Sequence, residues 1–576
     1  MGAATSAEPG FIVPVGDTGV WLGLHEDVLQ GVRNREWRLV TSFADVMMSD
    51  PQWDRPREDG FAVFPDGLII KIGPDWDQQA RHELPLIQTG RRRSVVSEAS
   101  TMTTHGTVIG KSERETQKRV IGLFRDELQY RYLGDWSDRP ANSNIEENLL
   151  RDYLTRASYT KAQIIRAIYR LKTEAENPNR SLYDNNRAVY SLLRYGVPVK
   201  IEAGKVTETV KVINWGKAEK NDFVIVEEVT LHGNLERRPD LVLYVNGIAV
   251  AVIELKNSYV SIGDGIRQLL SNQQKEFNEW FFATVQIVIA GNDSEGLRYG
   301  AIKTEEKYFL KWKEDEADDT RFKLDKYLVK MCRKGRLIEL MHDFVLFDGG
   351  VKKLPRVHQY FAVKAAQEHV NAYQGGIIWN TQGSGKSIVM VLLAKWILEN
   401  RSKARVVIVT DRDELDKQIE RVFTDAGEPI KRTSSGRDLM AQLGQAAPRL
   451  LCSLVHKFGR KGVDDFDAFI KELESKPCQT VGELFVFVDE CHRTQTGKLH
   501  RTMKALLPGA VFIGFTGTPL LKIDKATSLE VFGGYIHTYK FDEAVEDEVV
   551  LDLVVGGGVK VVKIGRFEIP HRTFHG

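Results

Sequence analysis

The chain has 576 residues, too many for one domain, and about three or four domains is the starting expectation. Its 80 Lys and Arg against 79 Asp and Glu leave a formal net charge of +1, so any nucleic-acid surface must be a local patch rather than a global field. The four cysteines, Cys332, Cys452, Cys478 and Cys491, form no CxxC pair, which argues against a zinc ribbon or disulfide scaffold and fits a reducing cytoplasm. No secretory signal opens the chain, and no window approaches the roughly 18 uninterrupted apolar residues of a membrane span.

Residues 1–105 are the least informative. Short apolar runs such as "GFAVFPDGLIIKIG" suggest a few strands, and "RRRSVVSEASTMTTHGTVIGKS" reads as a polar, mobile linker. Arg91, Arg92 and Arg93 in it read as solvated loop charges rather than a phosphate contact. Residues 110–175 are helical in pattern, and Ser143 with Glu146 three residues on has the form of a capping box. Strand-like runs follow in "VPVKIEA", "TETVKVINW", "DFVIVEEVTL" and "RRPDLVLYVNGIAVAVIELKN". "IRQLLSNQQKEFNEWFF" reads as one helix and "ATVQIVIAG" as another strand. Residues 106–302 therefore form an α/β unit, and 303–355 a charged helical connector. From 356 to 553 strands and helices alternate as in a parallel, doubly wound sheet.

"IIWNTQGSGKSIVMVLLAKWI" is the strongest local signal. A buried strand runs into a Gly-rich loop and then an apolar helix. Gly383 and Gly385 let backbone N–H groups turn toward phosphate oxygens, with Thr381, Gln382 and Ser384 completing the loop. Lys386 is placed to reach terminal phosphates and Ser387 to hold Mg²⁺. Asn380 stands where the first glycine of the usual pattern would be. "LFVFVDECHRTQTG" adds a core strand with Asp489 and Glu490 at its carboxyl end, where ligands sit in such sheets. Asp489 suits the Mg²⁺ shell of ATP, Glu490 the orientation of attacking water, and His492 a link to a neighbouring element.

These segments resemble a superfamily 2 helicase or translocase lobe of RecA-like fold. The resemblance rests on the box from Asp489 to His492, the Thr516–Thr518 motif in "GFTGTP", and "VIVTDRDELDKQI". It implies that Gln359 in "RVHQYFAV" lies against adenine and that DNA is the track.

Asp240, Glu254 and Lys256 are charges placed in otherwise apolar strands. Two carboxylates and an ammonium suit metal-dependent phosphodiester cleavage. Solvent-directed charges at strand ends are the plainer alternative. Glu254 and Lys256 share one strand face. A two-residue turn at Asn246-Gly247 would pair Asp240 with Ile253 and send Glu254 to the opposite face. A metal site therefore predicts a three-residue loop, a bulge, or a splay at the strand end.

The stretch resembles the PD-(D/E)xK nuclease core. With "ERETQKRVIGLFRDELQYRYLGDW", "NNRAVYSLLRYGVPVK", "RRPDLVLYVNG" and "VIELKN" it resembles the R subunit of type I restriction endonucleases over about residues 110–553. That resemblance implies an ATP-dependent, type I site-specific deoxyribonuclease that translocates and cleaves double-stranded DNA. Its partners would be methyltransferase (M) and specificity (S) subunits. Gln268 matches a glutamine that orders the family's site. Asn272 stands where a tyrosine is usual. An upstream helical glutamate is also implied, and either Glu146 or Glu147 could serve. The tail 554–576 departs from the pattern, and the chain reads as truncated before a second helicase lobe. The rival expectation is a non-translocating module that binds ATP and DNA and tethers partners.

Overall fold

The computed structural model describes residues 113–202, 206–314, 319–410, 430–433, 436–454, 481–490, 507–518 and 532–550, with isolated residues and short strands elsewhere. Arg91 to Arg93, Cys478, His492, Pro519 and residues 411–416 of the expected DNA-tracking element lie outside the described residues.

The chain divides into two compact units. One comprises residues 1–102 with 553–561 and 570–576, and the other comprises 103–552 with 562–569. In the first, β1 (Gly10–Val15) pairs antiparallel with β2 (Thr18–Gly23). The run "GFAVFPDGLIIKI" forms an antiparallel pair, β3 (Gly60–Val63) and β4 (Ile69–Ile72).

The second unit opens with α1 (Glu113–Gly122), which passes through a π turn into β5 (Arg131–Asp135). This edge strand interrupts what reads in sequence as continuous helix. Helices α2 (Glu147–Arg156), α3 (Lys161–Ala175) and α4 (Leu182–Tyr195) follow. The Ser143–Glu146 capping box forms only in part. The Glu146 carboxylate accepts from the Ser143 N–H at 3.0 Å, but the Ser143 hydroxyl serves Ile145 N–H instead. The helix accordingly starts at Glu147, with Glu146 as its N-cap.

Next come the small hairpin β6 (Val197–Val199) and β7 (Glu208–Val210), then β8 (Phe223–Glu227), β9 (Leu241–Val245) and β10 (Ile248–Leu255). Helix α5 covers Ile262–Asn272 and stops there. The expected continuation to Phe282 turns instead at Asn278 and resumes as a 3₁₀ turn, which buries Phe281 and Phe282 completely. Strands β11 (Ile287–Asn292), β12 (Gly296–Gly300) and β13 (Leu310–Lys311) complete a seven-stranded mixed sheet, ordered β13-β12-β11-β10-β9-β8-β5. This sheet therefore reaches past residue 302. Strands β9 and β10 are central and buried on both faces, which is why they lack polar alternation.

The connector holds α6 (Lys323–Cys332), α7 (Lys334–Asp343) and the hairpin β14 (Leu346–Asp348) and β15 (Val351–Lys353). It is bonded to the first sheet's layer at depth. The Tyr130 hydroxyl donates to the Cys332 carbonyl at 2.8 Å, and Lys352 Nζ donates to Gln286 Oε1 at 2.6 Å.

Helix α8 (Val357–Asn371) leads into β16 (Gly376–Asn380), α9 (Lys386–Asn400) and β17 (Ala404–Thr410). Then come β18 (Ile430–Thr433), α10 (Gly436–Leu443), β19 (Leu450–Leu454), β20 (Glu483–Val488), β21 (Val511–Thr516), β22 (Tyr535–Tyr539) and α11 (Phe541–Glu546). The seven strands run in the order β18-β19-β17-β20-β21-β16-β22, and every pairing is parallel. This is the α/β lobe with a parallel sheet that the alternation predicts. One apolar core runs without a break from β9 and β10 through the connector to α9 and β16. Among the described residues no helix is long and apolar enough to cross a membrane.

Candidate functional site

Asn246 and Gly247 adopt φ of 53° and 82°, the left-handed pair a two-residue hairpin turn requires. Val245 pairs with Ile248, and Tyr244 with Ala249. The three-residue loop is thus absent. Pairing then resumes as Leu243 with Ala251, Val242 with Val252 and Leu241 with Ile253. Val250 is the extra residue of a bulge, and it shifts the ladder by one. Asp240, next in line, falls opposite Glu254 on the same side of the sheet.

The Asp240 side chain closes the end of the ladder. Its Oδ2 accepts from the Leu255 N–H at 2.6 Å, while its carbonyl accepts from the Glu228 N–H at 2.9 Å. Glu254 is completely buried. Its Oε1 accepts from Lys256 Nζ at 3.0 Å, and its Oε2 has no hydrogen-bond partner. Lys256 also donates to the Leu255 carbonyl at 2.9 Å and lies 3.6 Å from the Glu113 carboxylate. Burial raises the pKa of both Asp240 and Glu254, and for Glu254 the negative charge of Asp240 adds to the rise. The nearby Lys256 ammonium opposes both shifts.

A Cβ placed on Gly265 of α5 would sit 3.4 Å from Lys256 Cγ and 3.6 Å from Glu254 Cγ. That face of α5 covers the pair. Gln268 follows Gly265 by three residues, on the same side of the helix, and is half-buried. Asn272 lies one turn further on, fully buried, with neither amide atom hydrogen-bonded.

Neither Glu146 nor Glu147 reaches this end of the sheet. The start of α2 packs on the Asn246-Gly247 turn, and a Cβ on Gly247 would meet the Glu146 carbonyl at 2.7 Å. Six residues of extended strand, about 20 Å, separate that turn from Glu254. Glu146 is held by Arg139, with Oε2 accepting at 2.6 Å, and Glu147 pairs with Lys172 at 2.9 Å. The helical glutamate beside Lys256 is Glu113, which the sequence reading missed. Its signal was Glu113 with Gln117 one turn on. Gln117 Nε2 donates to Glu227 at 2.9 Å and Glu228 at 3.1 Å, the acidic end of β8.

The second site is the loop between β16 and α9. Gly383 and Gly385 have φ of 87° and 84°, which side-chain-bearing residues rarely adopt. Ser384 N–H and Oγ both bond the Thr381 carbonyl, so the loop curls around the helix N-terminus. Lys386 Nζ, nearly buried, donates to Glu490 at 2.7 Å and lies 3.0 Å from Asp489. Asp489 continues the pairing of β20 with β17 through its N–H, which donates to the Val409 carbonyl at 3.0 Å, while its side chain accepts from Glu490 N–H at 3.1 Å and from Thr410 Oγ1 at 3.2 Å. Ser387 is half-buried in the first turn of α9, and Gln382 is exposed on the loop.

Gln359 is almost wholly buried, and both ends of its amide are engaged. Nε2 donates to the Ser384 carbonyl at 2.9 Å and Oε1 accepts from the Arg356 N–H at 2.9 Å. It buttresses the loop from below. His358 contacts the same carbonyl at 2.9 Å and stacks on Tyr539 with ring centroids 3.8 Å apart. Burial pushes its imidazole down to about 3, so it is neutral at physiological pH. Thr516 Oγ1 accepts from Thr518 N–H at 3.3 Å, a local hydroxyl turn after β21.

Among the described residues no group of three or more His, Cys, Asp or Glu side chains is arranged to hold a metal ion. The all-oxygen pair Asp240 and Glu254 remains a smaller donor set of the kind hard cations prefer.

Residues 110–307 match the family model of the type I restriction enzyme R protein N terminus, and residues 358–571 match that of the SWI2/SNF2 ATPase. The chain is 29% identical over 430 residues to the type I restriction enzyme HindI endonuclease subunit of Haemophilus influenzae, covering 67% of this chain and 39% of that protein. It is 25% identical over 346 residues to the type I restriction enzyme SauCOLORF180P endonuclease subunit of Staphylococcus aureus, covering 58% of this chain and 36% of that protein. The chain thus spans about two fifths of the length of these relatives. Among solved structures, the UvsW helicase from bacteriophage T4 aligns with 35% of this chain and 66% of its own at 20% identity, and its TM-score of 0.25 carries no argument. Two family matches in the order R-protein N terminus then ATPase, together with relatives of one description, make the chain similar to the R subunits of type I restriction enzymes.

Proposed function

We propose that the chain carries a metal-dependent DNA nuclease of the PD-(D/E)xK type joined to an ATP-driven translocase lobe. The observation that carries this reading is the bulge at Val250, which sets the Asp240 and Glu254 carboxylates opposite each other with Lys256 alongside. A ladder without the bulge would have parted them. The orphaned, buried Glu254 Oε2 also fits a cation ligand, because a carboxylate oxygen in such a place is costly without a partner. Asp240 and Glu254 would hold Mg²⁺. That ion would supply charge stabilisation and a water of lowered pKa. Lys256 would hold the charge that develops on the phosphate, Glu113 would position Lys256, and Gln268 would order the covering helix face.

In the lobe, the N–H groups of Gly383, Ser384 and Gly385 would receive ATP phosphates at the N-terminus of α9. Thr381 and Gln382 would line the entry of the loop. Lys386 would exchange its carboxylate partners for the terminal phosphates. Ser387 and Asp489 would hold the nucleotide's Mg²⁺, and Glu490 would orient the attacking water. Gln359 would report adenine occupancy to the loop it supports. The intact assembly would act on double-stranded DNA beside methyltransferase and specificity subunits, which would read the sequence. The test is nicking of supercoiled plasmid with Mg²⁺, ATP and the partner set. Wild type is expected to nick and Asp240→Ala to be inactive, and equal nicking by both would refute the assignment.

A further inference from the structure

Three residues beyond Lys256, Tyr259 is 81% exposed and has no packing role to explain a large aromatic side chain. A scattered exposed aromatic ordinarily needs no explanation. This one differs in how firmly its loop is held. The Tyr259 N–H donates to Asn257 Oδ1 at 2.9 Å. Asn292 Nδ2 donates to the Val260 carbonyl at 2.9 Å, and Ser294 Oγ to the Ser258 carbonyl at 3.1 Å. Glu295 Oε1 accepts from the Ile262 N–H at 2.9 Å. Three side chains of the β11–β12 turn thus fasten the loop on both sides of Tyr259, while the ring itself is left in solvent. Order without packing is what a preformed contact surface requires, because the ordering cost is met before the ligand arrives.

We infer that Tyr259 is a DNA-contacting residue of the nuclease site, packing its ring on a deoxyribose next to the cleaved phosphate. The inference rests on the nuclease reading above. Three residues of chain reach at most about 11 Å between Cα atoms, so the backbone of Tyr259 lies within about a groove's width of that of Lys256. A deoxyribose is the same at every nucleotide, which suits cleavage that reads no sequence at the cut. The phenol is uncharged and neutralises no phosphate. Its contribution is therefore independent of salt, unlike that of a lysine or arginine.

The experiment measures binding of the 576-residue chain to a fluorescent 30-base-pair duplex by anisotropy across a salt series without Mg²⁺, with plasmid nicking in parallel. Tyr259→Ala is expected to weaken binding by about 5-fold or more with an unchanged salt slope. Tyr259→Phe is expected to keep wild-type affinity, and both variants to melt with wild type because the side chain is exposed. Wild-type affinity and nicking in Tyr259→Ala, beside loss of nicking in Asp240→Ala, overturns this inference alone. Nicking that survives in Asp240→Ala overturns the nuclease reading and this inference with it. A changed salt slope in Tyr259→Ala overturns the uncharged packing role.

Discussion

The Asp240 carboxylate accepts the backbone N–H of Leu255 at 2.6 Å, so one side chain both ends the β9–β10 ladder and stands beside Glu254. Structure and chemistry meet in that oxygen. Asp240→Asn keeps an acceptor for Leu255 and removes the charge. It is expected to fold and bind ATP as wild type does while losing nicking by at least about 100-fold. Asp240→Ala also strands the N–H and should lose an additional ~1–3 kcal/mol of stability. Plasmid nicking read beside urea unfolding separates the two effects. Equal nicking by wild type and Asp240→Asn would remove Asp240 from the site.

Glu113, rather than Glu146 or Glu147, stands 3.6 Å from Lys256 Nζ. Glu113→Gln is expected to lower nicking about 10- to 100-fold, with a raised Mg²⁺ requirement. Glu147→Gln should change nothing measurable. Glu146→Gln should cost stability through Arg139 and Ser143 without a selective effect on cleavage. A Mg²⁺ titration of the nicking rate for all three ranks them, and a Glu147→Gln defect larger than that of Glu113→Gln would reverse the assignment.

Lys386 is held by both Glu490 and Asp489. Lys386→Ala should therefore do two things. ATP binding falls, because the terminal phosphates lose their cation. The fold also weakens by roughly 3 kcal/mol, because two buried carboxylates lose a shared partner. Lys386→Met should reproduce both. Unchanged stability with lost ATP binding would show that the carboxylates find other partners.

Lys395, on α9, is buried, with Nζ donating to the Val345 carbonyl at 3.2 Å. Burial pushes its ammonium from 10.5 down to about 8, Arg194 pushes the same way, and Glu399 and Asp343 oppose. Between those values the unfolded chain binds the proton more tightly than the folded one. Stability from this group accordingly rises with pH across about 8 to 10.5, and the full penalty applies below that window. The total is on the order of 3 kcal/mol. Lys395→Met should abolish this rise, so the stability of wild type relative to the variant should increase with pH when unfolding is followed from about pH 7.5 to about pH 10. A difference that stays flat with pH would show that Lys395 does not titrate there.

Much of this molecule is local and was therefore legible in its sequence. The phosphate loop needs glycines at 383 and 385, a lysine and a following helix, all within one short stretch, so the sequence alone determined where it lies. Alternating apolar strands and helices likewise determined a parallel lobe, because a strand buried on both faces has no polar alternation to hide. The pairing of Asp240 with Glu254 was posed by the sequence as a register problem with more than one solution. Only the tertiary structure chose the bulge at Val250. Strands β9 and β10 are apolar on both faces, so burial energy barely distinguishes a one-residue slip, and the neighbouring strands and the Leu255 bond decide it. The same holds for Glu113. It lies 143 residues before Lys256 in the chain, and its local mark, Gln117 one turn on, says nothing of which strand end it packs against. The packing of α1 against the end of β10 brings it to the ammonium, and the docking of α2 on the Asn246-Gly247 turn carries the other two away.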